Sequence, residues 1–197
     1  MNLPIILASA SPARLRLLKQ IGITPDQVIP SDIDKTKSPK ESPRRFAERL
    51  AFEKATTIAN TIEKGIIIGA DTVPVVGRSI MRKTANRDDI RKSLELISNR
   101  RHKIYTGVSV IKKYGSEYRT LKRVVKSTLK FKKLSKAEID YYCTLEEGIE
   151  KAGGYTASGY AESYISFLSG SFSNIIGLPL FETMNMLNSV GFYVRHK

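Results

Sequence analysis

The sequence predicts an α/β protein built on a mixed β-sheet flanked by helices. Three observations carry that expectation. Short apolar runs alternate with segments whose apolar residues recur near every 3.6 positions. The run Ile66-Ile67-Ile68 is apolar throughout and framed by Gly65 and Gly69, the pattern of a central strand buried on both faces. Leu121 to Phe131 alternates apolar and polar residues, the pattern of a strand with one wet face. The 197 residues suit one domain, or two lobes sharing one sheet.

Leu3 to Ala8 reads as the first strand, followed by Ser9-Ala10-Ser11-Pro12-Ala13-Arg14 and a helix carrying Leu15, Leu17 and Leu18. Ser11 suits an N-cap, and Pro12 suits the first helical position, where no N–H is needed. Arg14 falls in the first turn, where a cation opposes the helix dipole. Two hydroxyls, backbone N–H groups and a guanidinium at one spot suit a phosphate or carboxylate. Ordinary capping with an arginine in water fits the same residues. The preceding strand favours the ligand reading, because ligands collect at strand ends in α/β sheets.

Gln27 to Pro30 reads as a second short strand, and Asp32-Ile33-Asp34-Lys35 opens a polar loop running to Ser42. Ser42 and Pro43 repeat the cap-plus-proline start. The helix they open carries Phe46, Leu50, Lys54, Ile58 and Ile62 on one stripe, beside Ala47, Ala51, Ala55 and Ala59. Lys54 is the charge on that stripe. Either its stem packs while the amine reaches water, or the amine points into a cleft. The Ile66 run ends in Ala70-Asp71-Thr72, which places Asp71 at the end of a buried strand. A carboxylate there can bind a cation or accept a proton from water; the plain alternative caps a turn or pairs with a lysine.

Val73 to Val76 and Ser79 to Arg82 suit a hairpin around Gly77. Arg87 to Ser98 suits a helix facing inward with Ile90, Leu94 and Ile97, and Ile104 to Ile111 suits a strand. In the next strand Leu121, Val125, Leu129 and Phe131 share one side, and Lys122, Lys126, Lys130 and Lys132 the other. That lysine row reads as a solvated face; an RNA-binding face would interleave aromatic residues for stacking. Ser135 and Glu138 form a capping box. Gly153-Gly154-Tyr155 starts a new segment, Tyr164 to Leu168 a strand, and Gly177-Leu178-Pro179 a last helix with Leu180, Met184 and Leu187 inward.

The formal charge of +14 favours anionic partners. Cys143 stands alone, so no intramolecular disulfide forms, which fits a reducing cytoplasm. No apolar run approaches the roughly 20 residues of a membrane helix, and no secretory leader is expected. His102 and His196 are the two histidines. A His/Cys zinc site is therefore not expected, nor is a Ser-His-Asp triad, since His102 sits in the basic run Arg100-Arg101-His102-Lys103. Asp71 and Asp34, set among Arg14, Lys54, Lys83 and Lys151, suit Mg²⁺ or Mn²⁺ with a polyphosphate. There is no P-loop sequence.

Five blocks give the chain its resemblance. They are Leu7-Ala8-Ser9-Ala10-Ser11-Pro12-Ala13-Arg14; Arg49-Leu50-Ala51-Phe52-Glu53-Lys54-Ala55; Ile68-Gly69-Ala70-Asp71-Thr72-Val73; Tyr105-Thr106-Gly107-Val108; and Lys151-Ala152-Gly153-Gly154-Tyr155. Ser173-Asn174-Ile175-Ile176-Gly177-Leu178-Pro179-Leu180 closes the pattern. In this order the chain resembles the Maf family of nucleoside triphosphate pyrophosphatases, related in fold to the inosine triphosphatases. The resemblance implies a single domain over residues 1–197, with an elongated mixed sheet and two lobes around a central cleft. It implies hydrolysis of a nucleoside triphosphate to monophosphate and pyrophosphate with a divalent cation, in nucleotide-pool housecleaning. Asp71 matches the proton acceptor, and Asp34 an acidic position that handles metal or water. Arg14, Lys54 and Lys83 match phosphate-holding cations, and Thr72 and Ser158 positions that tune base preference; from the residues themselves, Ser9, Ser11 and Lys151 are further candidate substrate contacts. It also implies a homodimer.

Three positions depart from the pattern. Ala13 replaces the first of two arginines, Lys83-Thr84 replaces Lys-Pro, and Ser158 replaces the glutamine or glutamate that selects the base. Serine is too short for a bidentate contact to a base edge, so a relaxed or unusual base preference is expected. The rival class is a nucleotide-binding regulator of septum formation with weak turnover. The third is a basic RNA-binding module.

Overall fold

The computed structural model describes residues 3–194; His196 lies outside the described residues. The elements are β1 (Ile5–Ala8), α1 (Pro12–Gln20), β2 (Gln27–Val28), α2 (Pro43–Ala59), β3 (Lys64–Val76), β4 (Ser79–Ile80) and α3 (Arg87–Ile97). Then come β5 (Arg101–Tyr114), β6 (Glu117–Phe131), α4 (Lys136–Leu145), a 3₁₀ turn at Tyr160–Tyr164, β7 (Ile165–Ser169), α5 (Phe172–Ile176) and α6 (Leu180–Ser189). The strands form a seven-stranded sheet in the order β2-β1-β3-β5-β6-β7, with β4 on β3. It is mixed: β1 runs parallel to β2 and β3, while β3–β4 and β6–β7 are antiparallel. The α/β class with a mixed sheet and flanking helices is as the sequence predicts.

The chain divides into two compact units. The first comprises Met1–Asp71, Thr106–Val125 and Gly177–Lys197. Its core packs α2 onto β1 and β3 through Ile6, Ala8, Ala55, Ile58, Ala59 and Ile67. Small residues set that spacing. A Cβ on Gly69 would lie 2.4 Å from the Ala51 carbonyl oxygen, and one on Gly107 would lie 2.1 Å from that of Ala47. The second unit comprises Thr72–Tyr105 and Lys126–Ile176, with a core that joins Ile90, Leu94 and Ile97 of α3 to Ile139 and Tyr142 of α4, Leu129 and Phe131.

Several expectations need correction. β3 continues through Asp71 to Val76, because the β-branched Thr72, Val73, Val75 and Val76 sustain an extended backbone. The first strand begins at Ile5, and α2 ends at Ala59, so Ile62 lies beyond it. The inward face of α6 is Thr183, Met186 and Leu187, with Leu180 and Met184 only partly buried. His102 is buried despite its basic neighbours, because strand alternation turns Arg101 and Lys103 outward. Its Nε2 lies 2.7 Å from the Tyr155 hydroxyl. The capping box at α4 forms with both of its hydrogen bonds, and the β3–β4 hairpin closes around Gly77.

Candidate active site

The turn from β1 into α1 is organised by Ser9 rather than Ser11. Ser11 occupies the N-cap, but its side chain makes no capping bond. Instead the Ser11 N–H donates to Ser9 Oγ at 3.2 Å, and an Arg14 terminal N–H donates to the same oxygen at 2.9 Å. Arg14 Nε–H donates to the Gly177 carbonyl at 2.8 Å. Gly177 has φ of +125°, a conformation that favours glycine, so this anchor depends on a residue without a side chain. Ser9 and Arg14 are both buried. Burial pulls the Arg14 pKa down from its ordinary value, and the negative charge of Asp71 acts against that shift.

Lys54 settles between its two readings by pointing inward. It is 8% exposed, and its Nζ donates to Asp71 Oδ1 at 2.5 Å and to the Ala70 carbonyl at 3.4 Å. The close seating of α2 over Gly69 lets a side chain from α2 reach β3. Loss of water lowers the Lys54 pKa; Arg14 and Lys35 push in the same direction, and Asp71 opposes them. The carboxylate of Asp71 thus binds one buried cation, Lys54, and feels the charge of a second, Arg14.

The other predicted residues stand as follows. Asp34 is exposed in the loop before α2, and its Oδ1 accepts the Thr36 N–H at 2.8 Å and the Thr36 hydroxyl at 2.7 Å. Those two hydrogen bonds hold its pKa below the ordinary aspartate value. Thr72 follows Asp71 in β3 and is half-buried. Lys83 is exposed and sits 3.3 Å from Glu150. The Thr84 N–H donates to the Lys151 carbonyl, and the Thr84 hydroxyl donates to the Gly148 carbonyl, so the segments bearing Lys83 and Lys151 run side by side. Threonine in place of proline supplies both of those donors. Ser158 is exposed in a turn held by the Tyr160 N–H, which donates to Glu147 at 2.9 Å. The structure therefore joins Ser9, Ser11, Arg14, Lys54 and Asp71 in one unit, and Lys83 with Lys151 in the other.

Sequence reasoning missed the Gly177 carbonyl, Glu150, Glu147 and Arg49. Arg49 left a signal in its i,i+4 spacing to Glu53, and Gly177 stands in the closing motif block without its carbonyl being read as an anchor. Among the described residues no group of three or more His, Cys, Asp or Glu side chains is placed to hold a metal ion. The carboxylate oxygens of Asp71 and Asp34 are of the hard donor type that Mg²⁺ and Mn²⁺ take, ions held by one or two carboxylates with substrate phosphates completing the shell.

A family model described as Maf-like protein matches residues 4–190. The nucleoside triphosphate pyrophosphatase of Rickettsia felis is 52% identical over 197 residues, 100% of this chain and 97% of that protein. The protein of the same name from Rickettsia rickettsii strain Sheila Smith is 54% identical over 192 residues, 97% of this chain and 89% of its own. Among solved structures, the Staphylococcus aureus Ham1 protein aligns with 64% of this chain and 71% of its own, at a TM-score of 0.45 and 21% identity. No helix among the described residues is long and apolar enough to cross a membrane.

Proposed function

The chain belongs to the Maf family, and from that premise we propose that it is a nucleoside triphosphate pyrophosphatase. It hydrolyses the bond between the α- and β-phosphates to give nucleoside monophosphate and pyrophosphate. The observation that carries this reading is the Lys54–Asp71 pair beside Arg14. Buried cations around one carboxylate suit a polyanion attacked by water, because charge developing on phosphate oxygens is met by groups already in place. Residues 1–197 act as one catalytic domain.

In this mechanism Asp71 takes a proton from the water that attacks the α-phosphorus. Lys54 fixes the carboxylate, and Arg14, held by Ser9 and Gly177, faces the phosphate oxygens. The Ser11 region adds backbone N–H groups at the start of α1. Lys83 and Lys151 neutralise the departing pyrophosphate, and Thr72 and Ser158 address the nucleoside. Asp71 and Asp34 would hold Mg²⁺ or Mn²⁺, which when bound draws charge from the phosphate oxygens. The partner is the triphosphate itself, and the setting is cytoplasmic. Assembly as a homodimer rests on the family resemblance, and light scattering reads it.

The test is a panel of nucleoside triphosphates with Mg²⁺ or Mn²⁺ in ¹⁸O-labelled water. Monophosphate and pyrophosphate should appear in equal amounts, with the label in the monophosphate. Asp71→Asn should lower the rate by about 10²–10⁴-fold in protein that remains folded. Release of orthophosphate, label in the pyrophosphate, or full activity in Asp71→Asn would sink the reading.

A further inference from the structure

Arg49 is a cation in the Maf-family chain that lies against the polar loop bearing Asp34, yet its geometry is not that of a phosphate ligand. Guanidinium has five N–H donors in a fixed fork, and all three nitrogens are engaged within the protein. Nε donates to Glu41 Oε1 at 2.8 Å, one terminal nitrogen donates to both Glu53 oxygens at 3.0 and 3.1 Å, and the other donates to the Thr36 carbonyl at 2.9 Å and Glu41 Oε2 at 3.1 Å. These bonds raise the Arg49 pKa, so the charge is permanent.

The partners explain what this achieves. Residues 29–42 form a polar connection without helix or strand, and ordering such a segment costs about 1–2 kcal/mol per residue. Arg49 ties that connection to α2 at two places, Thr36 and Glu41. Thr36 is the residue whose N–H and hydroxyl both donate to Asp34 Oδ1. One chain of bonds therefore runs from α2 through Arg49 and Thr36 to the Asp34 carboxylate. Glu41 closes the far side of the loop, where it also accepts the Ser38 N–H at 3.4 Å.

We propose that Arg49 is a positioning residue that fixes Asp34 for the reaction by bracing its loop against α2. This rests on the pyrophosphatase reading and on the place of Asp34 in it. Arg49 touches neither substrate nor ion. Lysine at this position would keep the charge but lose the fork, so charge and geometry can be separated.

The experiment is a double-mutant cycle of Arg49→Lys and Asp34→Asn, followed by pyrophosphate release across a range of Mn²⁺ concentrations. Arg49→Lys should lower kcat by up to about 10²-fold, raise the Mn²⁺ concentration needed for half-maximal rate, and leave the KM for triphosphate nearly unchanged. In the Asp34→Asn background the same change should cost almost nothing more, because both act through one carboxylate. Thr36→Val, which removes one bond to Asp34 and leaves the brace, should move the same parameters less far. Independently of turnover, exchange of the Thr36 amide should quicken at least about tenfold in Arg49→Lys. Additive losses, or unchanged Thr36 exchange, would overturn the proposal. A fully active Asp34→Asn beside an inactive Asp71→Asn would overturn it while leaving the pyrophosphatase reading intact. A wild-type chain that releases no pyrophosphate would instead bring down that reading, and this inference with it.

Discussion

The ammonium of Lys54, on the fourth turn of α2, lies 2.5 Å from the carboxylate of Asp71 in the interior of β3. Both side chains are mostly shielded from water. Such a pair is costly to bury and costly to break from one side. Its persistence beside Arg14 makes sense where an anion completes the set.

Lys54→Gln should therefore uncouple stability from activity. It removes a cation that burial disfavours, but strands Asp71 beside an uncharged amide. Stability should fall by about 3 kcal/mol, the low end for a buried pair broken from one side, since glutamine keeps a donor beside Asp71. The loss in kcat/KM should be on the order of 10²-fold, because the proton acceptor loses the group that fixes it. Lys54→Arg, which puts a bulkier group against Asp71 and the Ala70 carbonyl, should not restore the rate. Denaturant midpoints and initial rates on the same preparations give both quantities.

The same geometry makes Gly69 a structural requirement of the site. A methyl group there would meet the backbone of Ala51 and Ala55, neither of which is the far end of a flexible side chain. Gly69→Ala should destabilise by about 1–3 kcal/mol through overpacking. It should also lower the rate beyond what the remaining folded fraction explains, because α2 must shift and carry Lys54 with it. Urea unfolding with an unchanged m-value, combined with kcat, separates the two effects.

What the sequence made legible was local. The proline at the start of α1, the alanine ribbon of α2 and the capping box of α4 are each written within a few positions, so pattern and structure agree. The contacts that finish the site are not local. Arg14 meets Gly177 from the other end of the chain, and Arg49 meets Thr36 across a loop with no periodicity to read. Asp71 was expected at a strand end because glycines framed the apolar run. The β-branched residues that follow it carried the opposite signal. Ser9 and Ser11 cannot be ranked as hydrogen-bond partners without knowing where Arg14 turns. His102 shows the same limit, since a basic neighbourhood in sequence is not one in space when residues alternate sides.

His102 predicts an acid limb in the stability profile. Burial lowers its pKa to about 4 from 6.5, so the folded state favours the neutral ring. Between those values the unfolded chain binds more protons, and stability must fall as pH drops. The contribution is fully present above about pH 6.5 and amounts to about 3 kcal/mol across the window. His102→Gln should flatten the decline between pH 6.5 and 4, at the cost of a lower plateau from the lost Tyr155 contact. Urea midpoints measured at several pH values, with wild type and variant side by side, test it.

Ser158 sits on a firm pedestal with a short reach. The Gly159 N–H donates to the Thr156 carbonyl at 3.1 Å, the Thr156 N–H to the Tyr142 hydroxyl at 3.2 Å, and the Tyr160 N–H to Glu147 at 2.9 Å. The turn is thus pinned on both sides while the serine itself is exposed. A single hydroxyl at such a place contributes about 1 kcal/mol, or roughly fivefold in rate. Wild-type kcat/KM values for ATP, GTP, CTP and UTP should consequently spread by no more than about tenfold, and Ser158→Ala should narrow that spread further. Ser158→Gln adds a carbonyl and an amide on a longer arm, so it can pair with a base edge at two points. It should favour one base over the others by about 1–3 kcal/mol, or roughly 5–150-fold. Glu147→Ala, which frees the Tyr160 N–H, should erase the selectivity gained in Ser158→Gln while barely changing the broad wild-type profile. A wild-type enzyme confined to one base would show that contacts other than Ser158 choose the substrate.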